Sequence, residues 1–105
     1  MSDTKNIIAK TVESHPIVLY IKGTREEPQC GFSNTVIQIF QKLNVPFETV
    51  DVVSNPEIRE GVKQFTNWPT IPQVFIKGEF IGGCDIVKEL YTNGELEPIV
   101  KKALA

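Results

Sequence analysis

Hydrophobic residues recur along this chain with two different spacings, which divide it into short helices and strands. Ile7, Ile8 and Val12 have helical spacing, whereas residues 17–21, Ile-Val-Leu-Tyr-Ile, form one continuous apolar run. An unbroken run of this length is typical of a strand that is buried on both faces. The pattern therefore predicts a first helix followed by an interior strand.

A second helix and a second strand follow after a loop. The apolar positions that mark one face of the helix are Phe32, Val36, Ile37, Phe40 and Leu43. The strand comes after Pro46 and runs through Phe47, Val50 and Val52. Two strands joined by a helix form a β-α-β unit, in which the strands pair in parallel.

The rest of the chain predicts three more helices and a hairpin. Asn55 and Pro56 suit the N-cap and the first position of a helix over residues 56–66. Residues 72–76 and 79–82 flank the tight Lys77-Gly78 turn, which favours a hairpin. Two further helical patterns follow, and they are separated at Asn93-Gly94.

The predicted order of elements is α-β-α-β-α-β-β-α-α. A parallel pair in the first half and an antiparallel hairpin in the second imply a four-stranded mixed sheet with helices on both faces. This is the thioredoxin-like arrangement of the α/β class. At 105 residues the chain is long enough for one core, so we expect a single domain over residues 1–105.

Composition and charge exclude two classes of partner. Hydrophobic residues make up 41% and charged residues 23% of the chain, and no apolar run is long enough to span a bilayer. The net charge of -2 provides no basic stripe for phosphates. We therefore expect neither membrane insertion nor nucleic-acid binding, and we expect small molecules or proteins as partners.

The two cysteines are too few for a secreted disulfide scaffold, and the N-terminus lacks the apolar core of a signal peptide. We expect a reducing compartment. The cytoplasm fits, as does a mitochondrial or plastid matrix if a transit peptide has been removed.

The tetrapeptide Cys30-Gly31-Phe32-Ser33 is the clearest chemical signal. It follows the first strand and begins the second helix, so free N–H groups and the helix dipole should favour the Cys30 thiolate. Ser33 stands where a dithiol redox enzyme carries its resolving cysteine. A hydroxyl cannot close a disulfide, so any chemistry must rely on Cys30 alone within this motif.

Two cationic features accompany Cys30. Lys22, at the end of the first strand, could further stabilise a thiolate at Cys30, although a plain surface lysine fits the position equally. Arg59 and Lys63 share a face of the third helix. A bound carboxylate could lie between them, or the pair could simply be solvated.

Two later segments also carry unusual residues. In residues 68–72, Trp-Pro-Thr-Ile-Pro, a cis bond before Pro72 would expose the backbone of Ile71 to an extended peptide, while a trans turn is the commoner outcome. In residues 82–85, Gly-Gly-Cys-Asp, a helix N-terminus could hold a carboxylate and Asp85 an amine, or Asp85 is only a cap. Trp68 suits a groove wall or a core plug, and Cys84 suits a second ligand or a buried, uncommitted thiol.

Taken together and in order, these motifs closely resemble the monothiol glutaredoxins of the CGFS type over nearly the whole chain. The resemblance implies a single-domain thioredoxin-like protein that binds glutathione. The residues at the corresponding binding positions are Lys22, Cys30, Phe32, Arg59, Lys63, Ile71, Cys84 and Asp85. Arg25 stands where many members have proline, from which we expect only a change in loop stiffness.

By the same resemblance, Arg59 and Lys63 would meet the glycyl carboxylate, Ile71 the cysteinyl backbone, and the Cys84-Asp85 pair the γ-glutamyl end. The family also implies carriage of iron-sulfur clusters, with BolA-like proteins and cluster-accepting apoproteins as partners. Ligand counting agrees, since a 2Fe-2S cluster needs four ligands and Cys30 plus one glutathione supplies two. Cys30 is then the metal ligand of a cluster shared between two chains.

Two alternatives remain at this level. As an enzyme, Cys30 would attack glutathionylated proteins and a second glutathione would resolve the mixed disulfide, which needs one cysteine only. We expect such activity to be weak. As a binding module, the protein would switch through a disulfide between Cys30 and Cys84.

Overall fold

The computed structural model describes residues 2–105, and their order of elements is the predicted one. Five helices and four strands are present in this range. The helices are α1 (Ser2–Ser14), α2 (Gly31–Lys42), α3 (Pro56–Thr66), α4 (Cys84–Thr92) and α5 (Leu96–Leu104). The strands are β1 (Ile17–Ile21), β2 (Glu48–Asp51), β3 (Gln73–Ile76) and β4 (Glu79–Gly82).

The four strands form one mixed sheet in the order β2-β1-β3-β4. β1 pairs in parallel with β2, as expected across the α2 crossover, and antiparallel with β3. β3 and β4 form the predicted hairpin, whose turn residues Lys77 and Gly78 both have positive φ. The thioredoxin-like fold class is therefore confirmed.

Burial of β1 on both faces follows from two hydrophobic cores on opposite sides of the sheet. Ile17, Leu19 and Ile21 pack in the core with α2, α4 and α5. Val18 and Tyr20 point the other way, into the core with α1 and α3. All five residues of β1 are buried, which explains why its sequence shows no alternation of apolar and polar residues.

The helix ends follow local signals. The Asn55 side chain accepts a hydrogen bond from the Ile58 N–H at 3.4 Å, and Pro56 occupies the first turn of α3, as predicted. The second strand is shorter than the predicted run, since Phe47 and Val52 lie just outside β2. The N–H of Val52 still donates to the Ile21 carbonyl of β1. Within residues 2–105, no helix has the length and apolar character needed to cross a bilayer.

Candidate functional site

A groove of ≈ 700 Å³ opens where α2, α3, α4 and the segment between α3 and β3 meet. This volume is within the range of small-molecule sites. The groove is lined by Lys22, Cys30, Phe32, Arg59, Lys63, Trp68, Pro69, Thr70, Ile71, Pro72, Gly83, Cys84, Asp85 and Ile86. All eight residues expected to bind glutathione are in this set, so the fold brings four separate sequence segments to one site.

Cys30 lies immediately before α2 in extended conformation, with its thiol partly exposed to the groove. Burial is the largest single influence on the pKa of Cys30 and raises it. Hydrogen bonds from the backbone of Ser33 and Phe32 outweigh that influence, with help from the Ser33 hydroxyl and the charge of Lys22. The net result is a pKa below the ordinary thiol value, which favours the nucleophilic and metal-binding thiolate.

Ser33, at the position of a resolving cysteine, is fully buried. Its oxygen accepts a hydrogen bond from the backbone N–H of Lys22 at 3.1 Å, and the hydroxyl helps to lower the pKa of Cys30. The residue at the position of a resolving cysteine therefore links β1 to α2 and stabilises the thiolate.

Arg59 and Lys63 lie on the side of the groove formed by α3. Nε of Arg59 is buried and has no hydrogen-bond partner among residues 2–105. Nζ of Lys63 lies 3.6 Å from a carboxylate oxygen of Glu60, which is exposed. Exposed ion pairs of this kind contribute only about 0–1 kcal/mol. The α3 wall thus presents two cations that an anion in the groove could approach.

The opposite wall begins at Gly83, the N-cap of α4, and continues with Cys84 and Asp85. Burial contributes most to the raised pKa of Cys84, and the negative charge of Asp85 raises it further. Cys84 is a free cysteine, but its thiol is partly exposed in the groove and not buried. At neutral pH Cys84 is the poorer thiolate of the two cysteines.

The segment 68–72 forms the floor between the two walls. The Ile71-Pro72 peptide bond is cis, in contrast to the trans turn that the sequence pattern favours. Among residues 2–105, neither backbone group of Ile71 forms a hydrogen bond. Both groups are therefore available to an extended ligand, as a strand edge would be.

Trp68 lines the groove and also packs against Phe80, with ring centroids 5.7 Å apart. The Trp68 ring therefore fits both sequence interpretations, since it forms part of the groove wall and also packs against an aromatic side chain of the sheet. Nε1 of Trp68 is buried and has no hydrogen-bond partner in the described chain.

Two residues support the loop before Cys30 through contacts that no motif indicates. Asp51 accepts a hydrogen bond from the Gly23 N–H at 3.0 Å. Arg25 donates to the Phe47 carbonyl, and its guanidinium lies 3.9 Å from the centroid of the Phe47 ring. Arg25 thus fastens the loop to the chain before β2. The contact between the Arg25 guanidinium and the Phe47 ring joins two segments that are distant in the chain, so no local sequence pattern indicates it.

Within residues 2–105, no three His, Cys, Asp or Glu side chains gather closely enough to hold a metal ion. The chemistry that the groove itself provides is one thiolate, two cations on one wall, and a helix N-terminus with a carboxylate on the other. Between them lie free backbone groups. This arrangement suits a short, extended, zwitterionic peptide.

Comparison with known proteins agrees with the fold and the site. The sequence profile described as Glutaredoxin matches residues 17–81. The chain therefore belongs to the glutaredoxin family, and within it to the monothiol glutaredoxins. A monothiol glutaredoxin of Synechocystis sp., described as uncharacterized and ycf64-like, is 52% identical over 103 residues, which cover 98% of this chain and 96% of the relative.

The chloroplastic monothiol glutaredoxin-S7 of rice (Oryza sativa subsp. japonica) is 54% identical over 95 residues. The alignment covers 90% of this chain but only 56% of the rice protein. The chain thus spans nearly all of the Synechocystis relative and little more than half of the rice one.

Solved structures show the same likeness. Reduced apo GrxS14 from poplar has a TM-score of 0.84 at 52% identity, with 95% of this chain and 92% of the poplar chain covered. The glutaredoxin of a buckwheat glutaredoxin-glutathione complex has a TM-score of 0.88 at 29% identity, with 99% and 93% covered.

Proposed function

We propose that this monothiol glutaredoxin binds glutathione in the groove and, as a homodimer, carries a 2Fe-2S cluster for transfer to apoproteins. Residues 1–105 act as one glutaredoxin domain in this proposal. The observation that carries it is Cys30, whose pKa is lowered and whose side chain faces an open groove shaped for a small peptide, with serine at the position of a resolving cysteine.

The polarity of the groove supports glutathione as the ligand. Glutathione has a carboxylate at its glycyl end and both an ammonium and a carboxylate at its γ-glutamyl end. Arg59 and Lys63 would hold the glycyl carboxylate by charge-assisted hydrogen bonds. The N-terminus of α4 would receive the γ-glutamyl carboxylate, while Asp85 would pair with the ammonium.

The middle of the ligand would lie along the floor of the groove. The free backbone groups of Ile71 would pair with the cysteinyl residue, and the glutathione thiol would then lie near Cys30. Phe32 and Lys22 would flank that thiol. The buckwheat relative, whose structure is a complex with glutathione, supports this choice of ligand at 29% identity.

The number of thiolates supports a shared cluster. A 2Fe-2S cluster takes four ligands, whereas the chain has two cysteines and only Cys30 has a lowered pKa. One Cys30 and one glutathione from each of two chains complete the set. The cluster is then the cargo of the protein, and two of its four ligands are exchangeable small molecules.

Exchangeable ligands favour delivery over permanent retention. We therefore assign the protein to cluster assembly and transfer, with BolA-like proteins and cluster-accepting apoproteins as partners. We place cluster assembly and transfer in a reducing compartment, the cytoplasm or an organelle matrix, where free thiols and glutathione persist.

The same lowered pKa supports a second function, a glutathione-dependent oxidoreductase. The Cys30 thiolate would attack the glutathione sulfur of a protein-glutathione mixed disulfide, so that the protein thiolate leaves and Cys30 becomes bonded to glutathione. The thiolate of a second glutathione would then attack that sulfur. The products would be glutathione disulfide and the free Cys30 thiolate.

Anaerobic reconstitution with iron, sulfide and glutathione tests the proposal. We expect a coloured dimer by visible absorbance and sizing, and we expect no colour for Cys30→Ser or when glutathione is omitted. Cys84→Ser is the matched control, because it removes a thiol from the same groove and should leave the cluster in place.

A colourless monomer that still reduces glutathione mixed disulfides would support the oxidoreductase instead. Loss of activity on oxidation that disappears in Cys84→Ser would indicate the Cys30-Cys84 switch.

A further inference from the structure

Gln73 is a fully buried polar residue at the start of β3, and its side chain holds the segment that leads out of α3. Its Nε2 donates to the Trp68 carbonyl at 2.9 Å and to the Thr70 carbonyl at 3.1 Å. Its Oε1 accepts from the Thr66 hydroxyl at 2.8 Å. One amide therefore fastens three points between α3 and β3.

These hydrogen bonds fix the direction of the backbone that leads into Ile71. The carbonyls of Trp68 and Thr70 are turned toward Gln73, while the backbone groups of Ile71 have no partner within the described chain. A segment without these bonds would sample other orientations, and a ligand would have to order it on binding. Gln73 therefore keeps the floor of the groove in one conformation before the ligand arrives.

The side-chain chemistry of this position is specific. A primary amide has two donors and one acceptor, which matches two carbonyls and one hydroxyl. An apolar side chain of similar size would fill the space but would leave the two carbonyls without their partner. Without these hydrogen bonds a buried glutamine would be unfavourable in β3, which is apolar at its other positions.

We propose that Gln73 is a positioning residue for the glutathione groove, which presents the Ile71 backbone to the ligand without touching it. This inference rests on the proposed binding of glutathione. Gln73 lies outside the groove lining and affects binding affinity through Trp68 and Thr70.

Gln73→Met tests this role, with two measurements on the apo protein. The first is the affinity for reduced glutathione by calorimetry, which should fall about tenfold, the loss expected when hydrogen bonds of ordinary strength no longer hold the bound conformation. The second is the fluorescence of Trp68, the one tryptophan of the chain. Its emission should shift and acrylamide should quench it more strongly, because the segment that carries it is released.

Two control variants separate this effect from a general loss of stability. Thr66→Val removes one hydrogen bond of Gln73 but keeps both bonds to the floor carbonyls, so affinity should change less than about threefold. Val100→Ala weakens the core on the other side of the sheet and should leave affinity and Trp68 quenching unchanged. The pH profile of Cys30 alkylation should be the same in all variants, since the donors to Cys30 lie in α2.

If folded Gln73→Met binds glutathione as the wild type does and Trp68 is quenched equally, Gln73 has no positioning role. The same conclusion follows if Val100→Ala loses as much affinity as Gln73→Met. Should Gln73→Met fail to fold, Gln73→Asn replaces it, because its shorter amide cannot reach both carbonyls. Absence of glutathione binding in the wild type would instead overturn the proposed function, and Trp68 quenching would still decide the role of Gln73.

Discussion

At the scale of single residues, the pKa of Cys30 is lowered in part by Ser33, a neighbour that has no redox chemistry of its own. Ser33 is buried and accepts from the Lys22 N–H at 3.1 Å. Burial raises the pKa of Cys30, and the backbone of Ser33 and Phe32 lowers it, with a further contribution from the Ser33 hydroxyl. A cysteine there could resolve a mixed disulfide, but it is a weaker hydrogen-bond donor. Compared with a cysteine, serine at position 33 provides no second thiol but stabilises the thiolate form of Cys30 better.

Ser33→Ala should raise the pKa of Cys30 and cost about 1 kcal/mol of stability, because the Lys22 N–H loses its acceptor. The measurement is the rate of iodoacetamide alkylation against pH, in a Cys84→Ser background so that Cys30 alone is followed. We expect the midpoint to move to higher pH. An unchanged midpoint would show that the backbone donors of α2 alone set the pKa.

The same variant has a consequence for stability. A thiol whose pKa is lowered by folding stabilises the protein above the pKa of the unfolded thiol, and this contribution is lost as pH falls through the folded pKa. Wild-type stability should therefore rise with pH between the two values. The rise should be smaller in Ser33→Ala, as measured by urea unfolding at several pH values.

At the scale of elements, the start of α4 is placed by a close approach to the end of β4. Gly82 has φ +151, and a Cβ there would lie 2.8 Å from Cβ of Ile86 in the first turn of α4. Neither the conformation nor the space suits another residue. The glycine thus lets α4 begin next to the sheet, which brings Cys84 and Asp85 to the groove.

Gly82→Ala should destabilise the fold by about 1–3 kcal/mol, the usual cost of strain and overpacking, and it should weaken glutathione binding because α4 is displaced. Thermal or urea unfolding measures the first effect and calorimetry the second. Gly31→Ala is the matched control, because a Cβ at Gly31, in the first turn of α2, meets no atom within 4 Å. Equal stability of the two variants would contradict the close-approach argument.

At the scale of the whole molecule, the groove is open and apolar side chains stand beside the thiolate. Phe32 is 61% exposed and Ile86 is 38% exposed, and both line the groove. Exposed apolar residues next to the proposed cluster ligand fit a contact with a second chain. In the proposed dimer, these side chains would be covered when the cluster is bound.

Ile86→Lys should therefore weaken the cluster-bound dimer by at least about tenfold, because each chain would place a charge at the contact. The apo protein should fold normally. Sedimentation of reconstituted protein at several concentrations measures the change. Ile7→Lys introduces the same charge on α1, at a residue that is 55% exposed and outside the groove, and it should leave the dimer intact. If both variants dimerise equally, the chains do not meet at this face.

Much of the fold was predictable because its signals are local. The continuous apolar run of residues 17–21 indicated a strand covered on both sides, and Asn55 with Pro56 indicated the start of α3. Lys77-Gly78 indicated the hairpin turn. Each of these depends on side-chain spacing or backbone preference within a few residues, which the chain carries wherever it folds.

The site was predictable for a different reason. Lys22, Cys30, Arg59 and Asp85 each allowed an ordinary surface interpretation by itself. Only their occurrence in one order, with the motifs around Trp68 and Cys84, indicated a shared groove. The role of Gln73 could not be predicted, because it depends on hydrogen-bond partners that the sequence does not show.

The sequence by itself determined the order of elements, the single thiol of the Cys30 motif and the family, since these follow from spacing and residue type. Tertiary structure decided which donors reach Cys30, why Cys84 is the weaker thiolate, and how Gln73 and Arg25 hold the loops of the site. It also decided the cis bond before Pro72. Hydrogen bonds, burial and charge act between residues that are distant in the chain, so they exist only once folding has brought those residues together.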